Sequence, residues 1–271
     1  MENNTNSFDS LRVSEAVERV VCVKDNAIIK RKYWRFRGGR WYGGIATADC
    51  VGCNLRCKFC GPLLSWMRKP DAGELLRPIQ VVKRLVNIAS KRKYRYVRIS
   101  GGEPTLCIEH LYEILGHMMH YPYLFILETN GILIGHDQRI AERLSEFSNI
   151  HVRLSIKGAN REEFEQLTGA SGKFFDYQLQ AIRNLLNYQV SFHPAIVASF
   201  SSKENIKSFI NRLQDISPVL PQTLEIEYII LYPHVLESLI KNNIVPKKAY
   251  TVKGKIIDEE TFRILFLKKK K

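Results

Sequence analysis

Between residues 44 and 231 the sequence has six short apolar or alternating runs, separated by longer stretches of helical periodicity. The predicted strands are Gly44–Ala48, Tyr94–Ser100, Leu124–Leu127, His151–Ile156, Val190–Val197 and Leu224–Leu231. The stretches between them carry apolar stripes at helical spacing, such as Val82, Leu85, Val86 and Ala89, then Ile108, Leu111, Leu115 and Met119, then Phe175, Leu179, Ile182 and Leu186. Pro78 sits at the start of one helix, where its missing N–H costs little. Asn160-Arg-Glu-Glu163 and Ser201-Ser-Lys-Glu204 have the pattern of helix caps. Strands alternating with helices imply a parallel sheet, and right-handed crossovers put the helices outside it. Six units fall short of the eight that close a barrel. The expected fold class is therefore α/β, an open or partial barrel with N-terminal and C-terminal extensions. In such folds the active groups sit on loops after the strands, and the chemically unusual residues of this chain fall there.

The chain has 271 residues, one large domain or two small ones at roughly 100–200 residues each. The expected division is a basic-aromatic extension over 1–43, a core domain over 44–232 and a C-terminal extension with a basic tail over 233–271. No apolar run reaches the ~18 residues of a spanning helix, so no membrane association is expected. The polar start MENNTNSFDS lacks the form of a secretory signal, and the expected compartment is the cytoplasm. The net charge is +14, with six basic and no acidic residues over Lys30–Arg40 and nine basic against three acidic over Pro246–Lys271. Such segments attract anions or simply solubilise a surface.

Six cysteines are present, four within Cys50-Val-Gly-Cys53-Asn-Leu-Arg-Cys57-Lys-Phe-Cys60. A disulfide framework needs an oxidising compartment and more dispersed cysteines; tight clustering points to metal or redox chemistry. Cys22 and Cys107 stand apart and read as buried apolar thiols. A structural zinc site usually pairs two Cys-x-x-Cys knuckles across a longer loop, whereas the two pairs here are three residues apart. The ferredoxin run has similar gaps in another order, with proline directly after the last cysteine; here Gly61-Pro62 follows. A third reading uses only Cys53, Cys57 and Cys60, spaced Cys-x3-Cys-x2-Cys. Three thiolates on a four-iron cluster leave one iron open to a substrate-like molecule. A fourth thiolate on that iron would close the position, so Cys50 is assigned no cluster role. Spacing alone leaves the alternatives standing.

Further motifs follow the predicted strands in order: Ser100-Gly-Gly-Glu-Pro104, Glu128-Thr-Asn-Gly131 and Ser155-Ile-Lys157. Together with Cys53-Asn-Leu-Arg-Cys-Lys-Phe-Cys60 they resemble the radical S-adenosylmethionine (radical SAM) superfamily over roughly residues 44–232. The resemblance implies a partial (β/α)6 TIM-like barrel of the radical SAM type, holding at its mouth a [4Fe–4S] cluster ligated by Cys53, Cys57 and Cys60, with SAM on the open iron. It implies reductive cleavage of SAM to methionine and a 5′-deoxyadenosyl radical that takes hydrogen from a substrate. A reductant such as ferredoxin or flavodoxin is implied as partner. Gly101, Gly102 and Glu103 match the segment that meets the SAM ammonium. Thr129 and Asn130 stand where ribose contacts are common, and Ser155 and Lys157 where the ribose or carboxylate is met. Phe59 shields the cluster or packs on adenine.

The substrate is less legible. No cysteine-rich region follows Cys107, so an auxiliary cluster, and the peptide-modifying subclass that carries one, are not expected. The compact size and Trp66 are similar to the glycyl-radical activating enzymes. The leading expectation is a macromolecular substrate, protein or RNA, with the segment Lys30–Tyr42 interleaving basic and aromatic side chains able to meet phosphates and bases; an edge strand or lid is the slightly favoured reading of that segment. The second is a small nucleotide-like or cofactor-precursor substrate, contacted by His193, His234 or Tyr232. The third is a non-catalytic iron–sulfur or zinc protein that binds nucleic acid through its basic ends. The oligomeric state is left open.

Overall fold

The computed structural model describes residues 7–25, 28–60 and 72–267. Strands β1 (Cys22–Asp25), β2 (Ile28–Gly39), β3 (Ile45–Cys50), β4 (Glu74–Leu76), β5 (Tyr96–Gly101), β6 (Leu124–Thr129), β7 (Ile150–Ile156), β8 (Phe192–Val197) and β9 (Glu225–Glu227) form the main sheet. Strands β10 (Ile230–Leu231), β11 (Lys248–Thr251) and β12 (Ile256–Asp258) form a second, smaller one. From β3 through β5, β6, β7 and β8 to β9 every pairing is parallel. These are the six predicted strands in the predicted order, and β9 does not return to pair with the other end, so the barrel is partial.

The two faces of the parallel strands differ in kind. Outward positions such as Ala48, Val97, Ile99, Phe125, Leu127, Val152, Leu154 and Ile196 are at most 2% exposed. They pack beneath helices Pro78–Arg92, Ile108–Met118 and Lys173–Asn187. Inward positions, alternating with them at the period-two spacing of a strand, are mostly polar: Thr47 and Asp49 on β3, Arg98 and Ser100 on β5, Glu128 on β6, Arg153 and Ser155 on β7, and Glu225 and Glu227 on β9, with Ile126 on β6 and Ala195 and Val197 on β8 the apolar exceptions. The barrel lumen is thus charged, and hydrogen bonding there must replace water.

The N-terminal segment joins the barrel sheet. Helix Ser10–Val21 starts at Asp9, whose carboxylate accepts from the backbone N–H of Leu11 and Arg12. The chain then turns through β1 into β2, which runs antiparallel to β3 from Tyr33↔Cys50 to Gly39↔Ile45. β2 also pairs with β1 and, over Arg31–Tyr33, with β4 on the side away from β3; beyond Tyr33 no strand among the described residues pairs on that side, so the half of the segment that carries Arg35 and Arg37 is an edge of the sheet. Arg31 and Tyr33 on it are fully enclosed.

Three sequence expectations need correction. Cys22 and Cys107 are joined as a disulfide, with Cα atoms 5.8 Å apart, and are not separate thiols. The β1–β2 hairpin lies beside the turn that follows β5, so two cysteines 85 residues apart in sequence meet. The strand predicted over 224–231 breaks in two. Ile229 donates its N–H to Ser199 Oγ (2.8 Å), and the chain leaves the barrel to pair β10 with β11. At the helix after β8 the capping residue is Ser202, not Ser201.

Beyond residue 232, helix Pro233–Lys241, β11, β12 and helix Glu259–Phe262 build a second apolar core with Leu231, Val235, Leu239, Ala249, Ile257 and Phe262. Phe59, from the cysteine loop, is inserted in that core and lies 5.4 Å from the ring of Phe200. No helix among the described residues is long and apolar enough to cross a membrane.

Candidate active site

At the C-terminal ends of the parallel strands lies a cavity of about 570 Å³, within the size range of small-molecule sites. It is lined by every residue to which the resemblance gives a part in holding the cluster or SAM: Cys53, Cys57, Phe59, Cys60, Gly101, Gly102, Glu103, Thr129, Asn130, Ser155 and Lys157. Cys50 is not on its wall. Cys50 ends β3 on the outward, apolar face, 1% exposed, and burial pushes its thiol pKa up.

The cysteine loop is fixed at both ends. Gly102 donates its N–H to the Cys50 carbonyl (2.8 Å), and Glu103 its N–H to the Gly52 carbonyl (2.7 Å). A Cβ on Gly102 would fall 2.0 Å from that Gly52 oxygen, so the second glycine of the motif is needed for the cysteine loop and the next turn to touch. Further on, Arg56 and Lys58 donate their N–H groups to the carbonyls of Thr168 (3.1 Å) and Leu167 (2.8 Å). Arg31, 1% exposed, gives Nη1 to the Pro104 carbonyl (2.8 Å) and Nη2 to those of Glu103 (2.7 Å) and Val51 (3.3 Å). One buried guanidinium from β2 thereby ties the start of the cysteine loop to the Gly-Gly-Glu-Pro turn.

Glu103 is 2% exposed. Its Oε1 accepts from Thr105 N (3.1 Å), Thr105 Oγ1 (2.7 Å) and Thr129 Oγ1 (2.6 Å), and its Oε2 from Asn130 N (2.8 Å). The carboxylate braces the ends of β5 and β6 against each other. Asn130 in turn gives Nδ2 to Asn54 Oδ1 in the cysteine loop (2.7 Å). Gln178, absent from the sequence reading, is fully buried and bonds Asn130 O (2.7 Å), Ser155 O (3.0 Å) and Lys157 N (3.1 Å). Lys157 Nζ donates to Ser155 Oγ (2.5 Å) and lies 6.0 Å from the centre of the Phe59 ring.

Burial, and then the neighbouring Cys57 thiol, push the Cys53 thiol up to about 12. A thiol raised in this way by burial and by a second thiol is stable as a thiolate only beside a cationic centre. Among the described residues no three His, Cys, Asp or Glu side chains close around a single ion; the three thiols instead share the wall of a wider cavity. Soft donors so placed fit a multi-iron group.

The cavity continues into the lumen, where sequence reasoning missed most of the wall: Arg35, Arg37, Glu128, Arg153, Glu227 and Tyr228. Arg98 Nη1 pairs with Glu128 Oε1 at 2.6 Å, and Ser100 Oγ donates to Glu128 Oε2 at 2.6 Å. Arg153, 8% exposed, pairs with Glu225 (2.9 Å) and Glu227 (2.6 Å). Burial opposes the charge on Arg153, but these two carboxylates hold its pKa above the usual value. Glu225 is drawn down to about 2 by the His193 hydrogen bond, against burial, with Arg153 assisting. The signal for these residues was available as polar side chains at every second position of strands covered on both faces. Of the other candidates, Tyr232 lines the cavity. His193 bonds Glu225 and His151 within the lumen, and His234 stacks on Tyr232. Trp66 lies outside the described residues.

Comparison with known proteins agrees with this geometry. The profile of the Radical SAM superfamily matches residues 49–213. A probable GTP 3',8-cyclase of Pyrococcus abyssi is 28% identical over 198 residues, covering 70% of this chain and 59% of that protein. The mycofactocin maturase MftC of Mycolicibacterium smegmatis is 29% identical over 154 residues, covering 57% and 36%. A 7-carboxy-7-deazaguanine synthase of Methanothermobacter thermautotrophicus is 26% identical over 150 residues, covering 54% and 58%. The chain thus spans less than two thirds of the length of each of these relatives. In fold it is similar to Streptococcus suis SuiB (TM-score 0.53, 18% identity, 71% of this chain and 43% of that one). It is also similar to anSMEcpe with bound AdoMet (TM-score 0.51, 21% identity, 71% and 56%). With the superfamily profile across most of the barrel and the motif residues on one cavity wall, this chain belongs to the radical SAM superfamily, whose cofactors are a [4Fe–4S] cluster and S-adenosylmethionine.

Proposed function

We propose that Cys53, Cys57 and Cys60 hold the cluster, that the rim from Gly101 to Lys157 holds SAM, and that a small substrate binds in the charged lumen beneath them. The observation that carries this reading is the continuity of one cavity from the three thiols, past the glycine turn, to Arg35, Arg37, Glu227 and Tyr228. When bound, the reduced cluster and SAM supply a 5′-deoxyadenosyl radical that takes a hydrogen atom from the substrate. The chain's own part is positioning and exclusion. Gly101 and Gly102 let this turn seat directly against the end of β3 and the cysteine loop, which fixes the rim beside the thiols. Lys157, held by Ser155, presents a cation to a carboxylate. Asn130 is fixed by Asn54 and Gln178 and is preorganised to hold a ribose. Phe59, anchored in the C-terminal core, keeps water from one side of the thiols.

A small substrate is favoured because the lumen is already walled by this chain's own charged side chains. The cyclase and the deazaguanine synthase, both similar in sequence, bear names that point to small heterocycles. A macromolecular substrate is the second reading, favoured by the unpaired gap between β9 and the other end of the sheet. A low-potential one-electron donor such as ferredoxin or flavodoxin is the proposed reductant, in the cytoplasm. The test is anaerobic reconstitution with iron and sulfide, reduction, and mass spectrometry for 5′-deoxyadenosine with candidate small molecules and with bulk RNA or protein added. Stimulation by a small molecule supports the first reading; stimulation by macromolecule alone replaces it with the second.

A further inference from the structure

β2 carries a feature that the cluster and SAM do not use. Arg35 and Arg37, two apart and so on one face of the strand, both reach Asp49 on β3. Asp49 Oδ2 accepts from Arg35 Nε (2.7 Å) and Arg37 Nε (2.8 Å), and Oδ1 from Arg37 Nη2 (3.1 Å). Asp49 is 1% exposed while the two arginine side chains are 43% and 30% exposed. Both line the cavity. Among the described residues Asp49 is the only hydrogen-bond partner of either guanidinium. One carboxylate against two guanidiniums leaves one positive charge in excess, and each guanidinium carries five N–H donors, most of them uncommitted here. A single arginine would satisfy the buried carboxylate. The second is surplus to the fold, and its planar fork suits an oxyanion.

The opposite wall has the opposite excess. Arg153 meets two carboxylates, Glu225 and Glu227, and Glu227 faces the cavity. The lumen is therefore polarised, cationic toward β2 and anionic toward β9. The same cavity is also walled by Trp41, 52% exposed. The turn that presents it is conformationally costly. Tyr42 sits at φ 56°, a left-handed position for a non-glycine residue. A Cβ on Gly44 would come within 2.5 Å of the Tyr94 ring. An indole held open by such a turn offers a flat apolar face for stacking.

We infer that Arg35, Arg37 and Trp41 form the substrate subsite of this lumen, and that the substrate is a small planar heterocycle bearing an oxyanion, phosphate or carboxylate, whose other edge donates N–H groups to Glu227. This rests on the small-substrate reading above and gives it a chemical class.

The test uses the anaerobically reconstituted full chain with SAM bound, and two probe pairs: GTP against guanosine, and orotate against uracil. Binding is read by equilibrium dialysis and tryptophan quenching. In at least one pair the charged member binds about tenfold or more tightly than its neutral partner, as a charge-assisted bidentate contact requires. Which pair responds tells phosphate from carboxylate. Arg37→Gln, which leaves Arg35 on Asp49, weakens that binding about tenfold or more, while Arg37→Lys recovers part of it and Trp41→Ala weakens it and changes the quenching. SAM affinity and the melting midpoint serve as folding controls. Equal binding within both pairs, no binding in either, or an Arg37→Gln chain that folds and binds like the wild type overturns the inference. Oxyanion binding through Arg37 in a chain that forms no 5′-deoxyadenosine sinks the proposed reaction and leaves the subsite standing.

Discussion

Replacing Glu103 by glutamine changes one oxygen to an amide and should cost more than its conservatism suggests. The carboxylate accepts four hydrogen bonds, and a backbone N–H stands on each side: Thr105 N at Oε1 and Asn130 N at Oε2. A glutamine NH2 placed at either oxygen faces one of those N–H groups, and a backbone donor has no acceptor form to switch to. At least one buried donor is left unpaired and the others lose charge assistance. Hydrogen bonds to charged groups contribute roughly 1.5–3 kcal/mol each, and an unmade buried one costs roughly 1–3 kcal/mol. The expected loss is about 3 kcal/mol, against a total of roughly 5–15 kcal/mol for a typical domain. Urea unfolding of the cluster-free protein reads it as a lower midpoint at unchanged slope. Because the same carboxylate fixes Thr129 and Asn130, SAM binding to the reconstituted protein weakens in parallel. A Glu103→Gln chain within about 0.5 kcal/mol of wild type refutes the assignment of Glu103 as the brace between β5 and β6.

Two further outcomes follow from buried groups away from the cavity. His110 is fully enclosed, donates Nε2–H to the Leu76 carbonyl (3.0 Å), and burial draws its pKa down to about 4. The unfolded chain binds that proton near 6.5 and the folded chain only near 4. Stability is therefore full above about pH 6.5 and declines as pH falls toward 4, by about 2 kcal/mol between pH 7 and 5; urea titrations at the two pH values measure it, and His110→Leu should flatten the slope. The Cys22–Cys107 disulfide closes an 85-residue separation, for which chain entropy predicts up to about 4–5 kcal/mol. Unfolding with and without reductant should differ by most of that in wild type and not in Cys22→Ser/Cys107→Ser, and intact mass after alkylation checks the pairing.

What the sequence revealed was whatever is contiguous in it. The spacing of Cys53, Cys57 and Cys60, the Gly101-Gly102-Glu103 turn and the Ser155-Ile-Lys157 strand end are each local. The rule that loops after parallel strands share one rim brought them together correctly. The charged lumen was legible only in part. Asp49, Arg98, Glu128 and Arg153 alternate with apolar residues, but no local rule says which arginine meets which carboxylate across strands. The inward use of the basic run was hidden for a related reason. A run of positive charge reads as solvated, whereas Arg31 is committed to three carbonyls and Arg35 and Arg37 turn inward onto Asp49 with most of their donors still open to the cavity. The Cys22–Cys107 bond depends on an antiparallel hairpin joining a parallel sheet, and the split of the predicted sixth strand depends on Ser199 capturing Ile229. Both are contacts of the folded chain that sequence periodicity does not encode.

The central claim concerns which thiols carry the cluster. Wild type, Cys50→Ala and Cys57→Ala should be reconstituted side by side without oxygen, then analysed for iron and sulfide and, after reduction with SAM, for 5′-deoxyadenosine. The account predicts a [4Fe–4S] content and deoxyadenosine in wild type and in Cys50→Ala, and the loss of both in Cys57→Ala. Retention of zinc in place of iron, or a Cys50→Ala protein that folds but holds no cluster, contradicts it.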